Sequence, residues 1–292
     1  MHDHKDAFDQ GLRHDLQVLN ALANRRRMLG WLAAAGLVPV FGCGGSDDPA
    51  SGAAGASGAG AAGAGTAGTA GSAGSSSAGA ANTTDCTKIP EETGGPYPGD
   101  GTNGPNALAT SGIVRGDIST SFGSLSGTAA GIPLTVQLKI VSSSNSCQSL
   151  AGYAVYIWHC DRDGKYSMYT ATDQNYLRGV QETDSEGVVS FTSIFPACYS
   201  GRWPHIHFEV FKSLEEATAA GSKLATSQLA LPKAQCDEVF ATTGYEASVT
   251  SLTQISLATD NVFSDGASSE TPTMTGNVSD GYVASLTVGV AG

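Results

Sequence analysis

The chain has 292 residues and a formal net charge of −12, with 15 lysines and arginines against 27 acidic residues. Such a balance lacks the basic footprint that nucleic-acid binding needs and serves solubility instead. Composition changes along the chain, which divides into a targeting segment (1–43), a small-residue linker (44–85) and one domain (86–292) long enough to enclose a substantial core.

The first segment contains "NRRRMLGWLAAAGLVPVFGCGG", consecutive arginines followed by an apolar run and a cysteine. This is the charged region and short hydrophobic region of an export signal. Arg25-Arg26, followed after one residue by Met28-Leu29, fits a twin-arginine signal. The apolar run from Met28 to Gly42 is too short and too rich in glycine and alanine for a comfortable membrane span. It ends in Val40-Phe41-Gly42-Cys43, which resembles a bacterial lipobox, so Cys43 would carry lipid and become the mature N-terminus. Ordinary signal cleavage without lipid is the alternative. Either way the expected location is outside the cytoplasm, periplasmic or tethered to the cell envelope or outer membrane. Residues 44–85 have no aromatic and almost no large apolar side chain. They cannot bury enough surface to offset their ordering entropy, and they read as a tether.

Within the domain, short alternating runs recur between turn signals. They are "PLTVQLKIV" (133–141), "AVYIWHC" (154–160), "GVVSFTSI" (187–194), "HIHFEVF" (205–211), "ATSQLAL" (225–231) and "YVASLTVGV" (282–290). The pattern predicts an all-β fold, a β-sandwich core with few short helices. One short helix is expected within "KSLEEATAAGSKL" (212–224), ending at Gly221. Beyond Cys43 there are five cysteines, Cys86, Cys147, Cys160, Cys198 and Cys236, so at least one stays unpaired within the chain. The sequence does not choose the pairing. No C-x-x-C pair occurs, which argues against a zinc ribbon.

In "CYSGRWPHIHFEV" (198–210), His205 and His207 lie one residue apart on an expected strand. Side chains at i and i+2 share a face, with Cα atoms roughly 6.5–7 Å apart, so both imidazoles can reach one metal ion while Ile206 enters the opposite layer. An incidental pair on a polar strand face is the plain alternative. It is weakened by scarcity, since His159, His205 and His207 are the only histidines beyond the targeting segment. Tyrosine supplies further donors: Tyr199 precedes His205 by six residues, and Tyr166 follows a strand in "CDRDGKYSMY". A phenol with a pKa of roughly 10 ligates only when a strongly acidic ion strips its proton. Hard, oxidised iron accepts phenolate and imidazole together. Either tyrosine alone would read as packing; the constellation carries the argument. His159, opposite in alternation to Trp158, is expected to be structural.

These stretches resemble the intradiol ring-cleavage dioxygenases, in particular the protocatechuate 3,4-dioxygenase β-subunit-like group. The matching segments are "ETGGPYPGD" (92–100), "LAGYAVYIWHCDRDGKYS" (150–167), "YLRGVQETDSEGVVSFTSIFPACYSGRWPHIHFEV" (176–210) and "TSQLALP" (226–232). The resemblance implies a non-haem Fe(III) held by Tyr166, Tyr199, His205 and His207, with Tyr199 axial and opposite His205, and Tyr166 and His207 equatorial. It implies Arg202 beside the bound substrate and Gln228 shaping the pocket. It also implies the reaction: a catechol-type diol loses both protons on binding, one of them to Tyr199, and its ring is cleaved with O2 to a cis,cis-muconate-type diacid. The helical N-terminal region of the family's catechol dioxygenases is replaced here by the linker. The family's usual T-E-G-P-Y-Y is Thr93-Gly94-Gly95-Pro96-Tyr97-Pro98, the common glycine of P-G-x-Y is Ala197, and Cys198 directly precedes an implied ligand. The competing expectation is an exported lipoprotein that binds iron or a catecholate without turnover.

Overall fold

A computed structural model describes residues 86–219 and 221–292; the expected targeting segment, Cys43 included, and the linker lie outside the described residues. The described chain forms two four-stranded sheets. The first has the order β4-β1-β8-β7, with β1 (Pro133–Ser142), β4 (Val188–Ile194), β7 (Thr273–Asn277) and β8 (Gly281–Val290). The second has the order β3-β2-β5-β6, with β2 (Ala154–Trp158), β3 (Arg178–Glu182), β5 (His205–Phe211) and β6 (Lys223–Ala230). The helices are short: α1 (Leu214–Thr218), α2 (Lys233–Phe240) and α3 (Glu246–Thr253). The all-β sandwich expected from the alternating runs is what forms. No helix among the described residues is long and apolar enough to cross a membrane.

Alternation decides which side of each strand enters the core. On β1, Leu134, Val136, Leu138 and Ile140 are buried, and they pack with Val155 and Ile157 of β2 and Ile206, Phe208 and Val210 of β5. Burying each such side chain contributes about 1.5–3 kcal/mol. A one-residue slip would turn all of them to the wrong face, so the register is strongly specified. In the second sheet β2 pairs antiparallel with β3 and β5, with Trp158 opposite both Arg178 and His207. β5 pairs antiparallel with β6, placing Gln228 opposite His207.

β2 and β5 are buried on both faces. Their outer face carries Tyr156, Trp158 and His207, covered by a second apolar layer that includes Ala107, Leu108, Ile113 and Phe122 from the chain before β1. The candidate residues Tyr166 and Tyr199 belong to this outer layer rather than to the core between the sheets. Cys86 and Cys147 form the disulfide; Cys160, Cys198 and Cys236 are buried free thiols. The short helix expected within 212–224 forms as α1, which ends at Thr218 rather than at Gly221.

Candidate metal centre

β5 presents His205, His207 and Glu209 on its outer face, while Ile206, Phe208 and Val210 fill the core. Two loops bring the tyrosines to the same place. Tyr166 lies in the connection from β2 to β3, after a turn in which Asp161 Oδ1 accepts from the backbone N–H groups of Asp163 and Lys165, each at 2.9 Å. Tyr199 lies in the connection from β4 to β5. The loops touch at Gly164, which has φ +78°; a Cβ there would lie 3.2 Å from Tyr199 Cβ, so only glycine fits both the conformation and the approach.

Tyr166 Oη is 3.2 Å from His205 Nε2, 3.4 Å from His207 Nε2 and 3.4 Å from Tyr199 Oη, and Tyr199 Oη is 3.3 Å from His205 Nε2. Four donor atoms from four positions in the sequence therefore face one point. The residues named for the metal, Tyr166, Tyr199, His205 and His207, are brought together. The expected arrangement of two of them needs correction. Donors opposite each other across one ion, with bonds of about 2.0–2.1 Å, would be roughly 4 Å apart. Tyr199 and His205, at 3.3 Å, are neighbours rather than opposites.

The protonation states suit a cation. His205 Nδ1 lies 2.5 Å from the carbonyl oxygen of Trp203, so that nitrogen carries the hydrogen and Nε2 keeps its lone pair for the centre. Burial, then the Arg202 charge, holds the His205 pKa well below the usual imidazole value; burial, then His205 and Arg202, does the same for His207. Both rings are neutral, as metal ligands must be. Burial raises the pKa of both phenols, and Tyr166 is 2% exposed. Only a strongly acidic cation placed among them would ionise these phenols. Among the described residues no group of three or more His, Cys, Asp or Glu side chains could hold a metal ion. A centre here depends on phenolate, a donor that suits a hard trivalent ion better than zinc.

Arg202 and Gln228 stand beside the cluster. The Arg202 guanidinium donates from Nε to Asp260 Oδ2 at 3.0 Å and from Nη2 to Gln228 Oε1 at 2.7 Å, and Nη1 is 3.4 Å from His205 Nε2. Gln228 Nε2 donates to the carbonyl of Thr93 at 2.7 Å, tying the arginine to the segment that crosses the site. His159 lies outside the cluster: its Nε2 is 2.7 Å from Ser193 Oγ and its Nδ1 2.7 Å from the Cys160 carbonyl.

Sequence reasoning missed three participants. Asp260, fully buried, holds Arg202 and accepts from the Trp203 backbone N–H at 2.7 Å. Trp158 stacks on His207, with ring centroids 4.8 Å apart and planes 3° from parallel. Arg178, 1% exposed, donates to Ser167 Oγ and O beside Tyr166 and to the carbonyls of Tyr97 and Pro98. Through these bonds it clamps the segment carrying the departures from the T-E-G-P-Y-Y pattern onto the Tyr166 loop.

Fold and site together define a β-sandwich in which the interior strand β5 and two loops bring together two histidines and two tyrosines. Residues 118–222 match the family model Dioxygenase_C, described as dioxygenase; this stretch includes all four donors. The structure is similar to an intradiol ring-cleavage dioxygenase from Tetranychus urticae, at 24% identity over 70% of this chain and 95% of that one, with a TM-score of 0.55. A second dioxygenase crystal structure aligns at 23% identity over 70% of this chain and 94% of that one, with a TM-score of 0.54. No curated protein matches the sequence. The resemblance read from the motifs is accompanied by a match to a dioxygenase family model over residues 118–222 and by a shared fold.

Proposed function

We propose that this chain is a non-haem Fe(III) intradiol dioxygenase that cleaves the ring of a catechol-type diol with O2 to a cis,cis-muconate-type diacid. The observation that carries it is the convergence of Tyr166, Tyr199, His205 and His207 on one point, with 3.2–3.4 Å between the contacting donor atoms. Those four side chains would hold the iron. Bound there, it would supply the Lewis acidity that gathers both diol oxygens and prepares the ring for O2.

The remaining work falls to the chain. Tyr199 is only partly buried, and among the described residues its Oη bonds to other donors of the cluster. It is the group able to swing away and accept a proton from the incoming diol at Oη. Tyr166, enclosed by Tyr97 at 5.0 Å between ring centroids and by the loop clamped through Arg178, stays in place. Arg202, held by Asp260 and Gln228, keeps its guanidinium at the cluster, where it stabilises negative charge on a bound diolate. Gln228 acts by orienting Arg202.

The test is an anaerobic titration of the iron-loaded protein with a panel of catechols, followed by O2 and mass analysis of the product. The expected result is a coloured protein, from phenolate-to-Fe(III) charge transfer, whose band moves on diol binding and which yields a ring-opened diacid. A colourless protein carrying stoichiometric zinc and showing no iron-dependent band would sink the assignment. Diol binding without O2 uptake would make the chain a binding protein.

We further propose that the domain is exported and tethered through Cys43. The arginine pair before an apolar run supports this, and so does the Cys86–Cys147 disulfide, which persists in oxidising compartments. Cys43→Ala should release the protein from the membrane fraction; retention there would point to an uncleaved anchor.

A further inference from the structure

The two histidines of the cluster are supported differently. His205 Nδ1 has the Trp203 carbonyl, whereas His207 Nδ1 is buried and has no hydrogen-bond partner among the described residues. Two other buried polar atoms on the same sheet face share that condition, Trp158 Nε1 and Glu209 Oε2. All three residues are at least nine-tenths buried: Trp158 0%, His207 3% and Glu209 0% exposed.

The three atoms belong to one neighbourhood. Trp158 stacks on the His207 ring and lies opposite it in the β2–β5 register. Glu209 follows His207 by two residues on β5, on the same face. Above them run Gly94 and Gly95. A Cβ on Gly94 would lie 3.8 Å from Trp158 Cζ2 and 3.9 Å from Glu209 Oε1; one on Gly95 would lie 3.3 Å from His207 Cε1. A dipeptide without side chains therefore roofs the indole, the carboxylate and the imidazole together.

Their chemistry is complementary. The indole N–H only donates, the carboxylate only accepts, and His207 Nδ1 carries the hydrogen once Nε2 faces a metal. Leaving each unpaired would cost its hydration without any compensating hydrogen bond. A water molecule can accept two hydrogen bonds and donate the third, close to the roughly three bonds that buried waters commonly make. We propose that a buried water beneath Gly94-Gly95 accepts from His207 Nδ1–H and Trp158 Nε1–H and donates to Glu209 Oε2, making Glu209 the positioning residue for His207. The other carboxylate oxygen is fixed by Lys223 Nζ at 2.6 Å, and that ammonium is held in turn by Asp100 at 2.5 Å. Glu209 thus spans from an ion pair at one end to the water at the other. Such outer partners orient a ligating imidazole and set its donor strength. The inference rests on the metal reading above.

The test uses the iron-loaded protein and three variants, with iron release to a competing chelator and the charge-transfer spectrum as readouts. Glu209→Leu should lose iron about 10–100-fold more readily, the usual cost of removing an outer partner, with a shifted band. Glu209→Gln, which keeps an oxygen for the water, and Lys223→Met, which breaks the ion pair but not the bridge, should both stay close to wild type. A folded Glu209→Leu that holds iron like wild type overturns the proposal, as does a Lys223→Met that loses iron equally. Wild-type protein that takes up no iron overturns the metal reading instead. A high-resolution crystal structure of the wild-type protein then decides the bridge, and it does so too if Glu209→Leu fails to fold. A water within hydrogen-bond distance of all three atoms supports the bridge, and its absence refutes it.

Discussion

The two tyrosines of the cluster are chemically alike but differently confined, and that difference predicts different losses. Tyr166 is 2% exposed and touches all three other donors, whereas Tyr199 is partly exposed and touches two. Tyr199→Phe should retain iron through Tyr166, His205 and His207, with weaker colour. Removing a positioned proton acceptor typically costs about 10²–10⁴-fold in rate, so turnover should fall by that order. Tyr166→Phe should instead hold iron poorly. Metal content and stopped-flow absorbance of diol binding without O2 separate the two. Wild-type turnover by Tyr199→Phe would leave that residue a packing role only.

His159, outside the cluster, carries its own prediction. Burial lowers its pKa from 6.5 to about 4. The unfolded chain therefore takes up this proton near pH 6.5 and the folded chain only near pH 4. Stability due to the neutral ring is complete above about pH 6.5 and falls as pH drops toward 4, by on the order of 3 kcal/mol at about 1.4 kcal/mol per pKa unit. His159→Gln should flatten this acid limb relative to wild type, since the remaining buried histidines are common to both. Melting temperatures between pH 4 and 7 check it, and parallel slopes would show that the ring titrates freely.

At the scale of elements, strands with an apolar face were legible and others were not. β1 and β8 announce themselves by alternating β-branched residues, and β5 by "HIHFEVF". β3, "RGVQE", carries an arginine that is buried only because five acceptors distant in sequence receive its donors. β7, "TMTGN", is a largely exposed strand at the sheet edge with no apolar face to read. α2 and α3, eight residues each, are too short to establish a period. The same logic applies to the centre. The i, i+2 histidines are local, whereas the Arg202–Asp260 pair spans 58 residues and leaves no pattern. Glu209 could have been found, as the third member of H-x-H-x-E on one strand face.

The segment over β2 and β5 can be tested as an element. Gly95 has φ +66°, and a Cβ there would meet His207 Cε1 at 3.3 Å; Gly104 has φ +128° with nothing within 4 Å. Both alanine variants carry the backbone strain, about 1–2 kcal/mol, but only Gly95→Ala also presses on the imidazole. Iron affinity should therefore drop in Gly95→Ala and hold in Gly104→Ala. Equal affinities, measured by chelator competition, would mean that the roof has slack.

Over the whole domain, the centre is roofed by a chain that begins at the disulfide. From Cys86 the backbone bridges β8 at Lys88–Gly289, donates from the Glu92 N–H to the Thr226 carbonyl of β6, and reaches the site at Thr93 and Gly94-Gly95. Cys147 lies in the connection between β1 and β2, so the bridge ties the start of this segment to the sandwich. With the two cysteines 61 positions apart in sequence, the chain-entropy argument gives roughly 4 kcal/mol of stabilisation. The double variant Cys86→Ser, Cys147→Ser should lower the denaturant midpoint accordingly. A reducing agent should reproduce the effect in wild type, because Cys160, Cys198 and Cys236 are buried and burial raises their pKa, which keeps them unreactive. Iron affinity of the folded variant should change little, since Gln228 and Arg178 still hold the segment at Thr93, Tyr97 and Pro98. An unchanged midpoint would show that the disulfide adds no measurable stability beyond those hydrogen bonds. Iron loss in parallel with stability would show instead that the roof is held from its disulfide end.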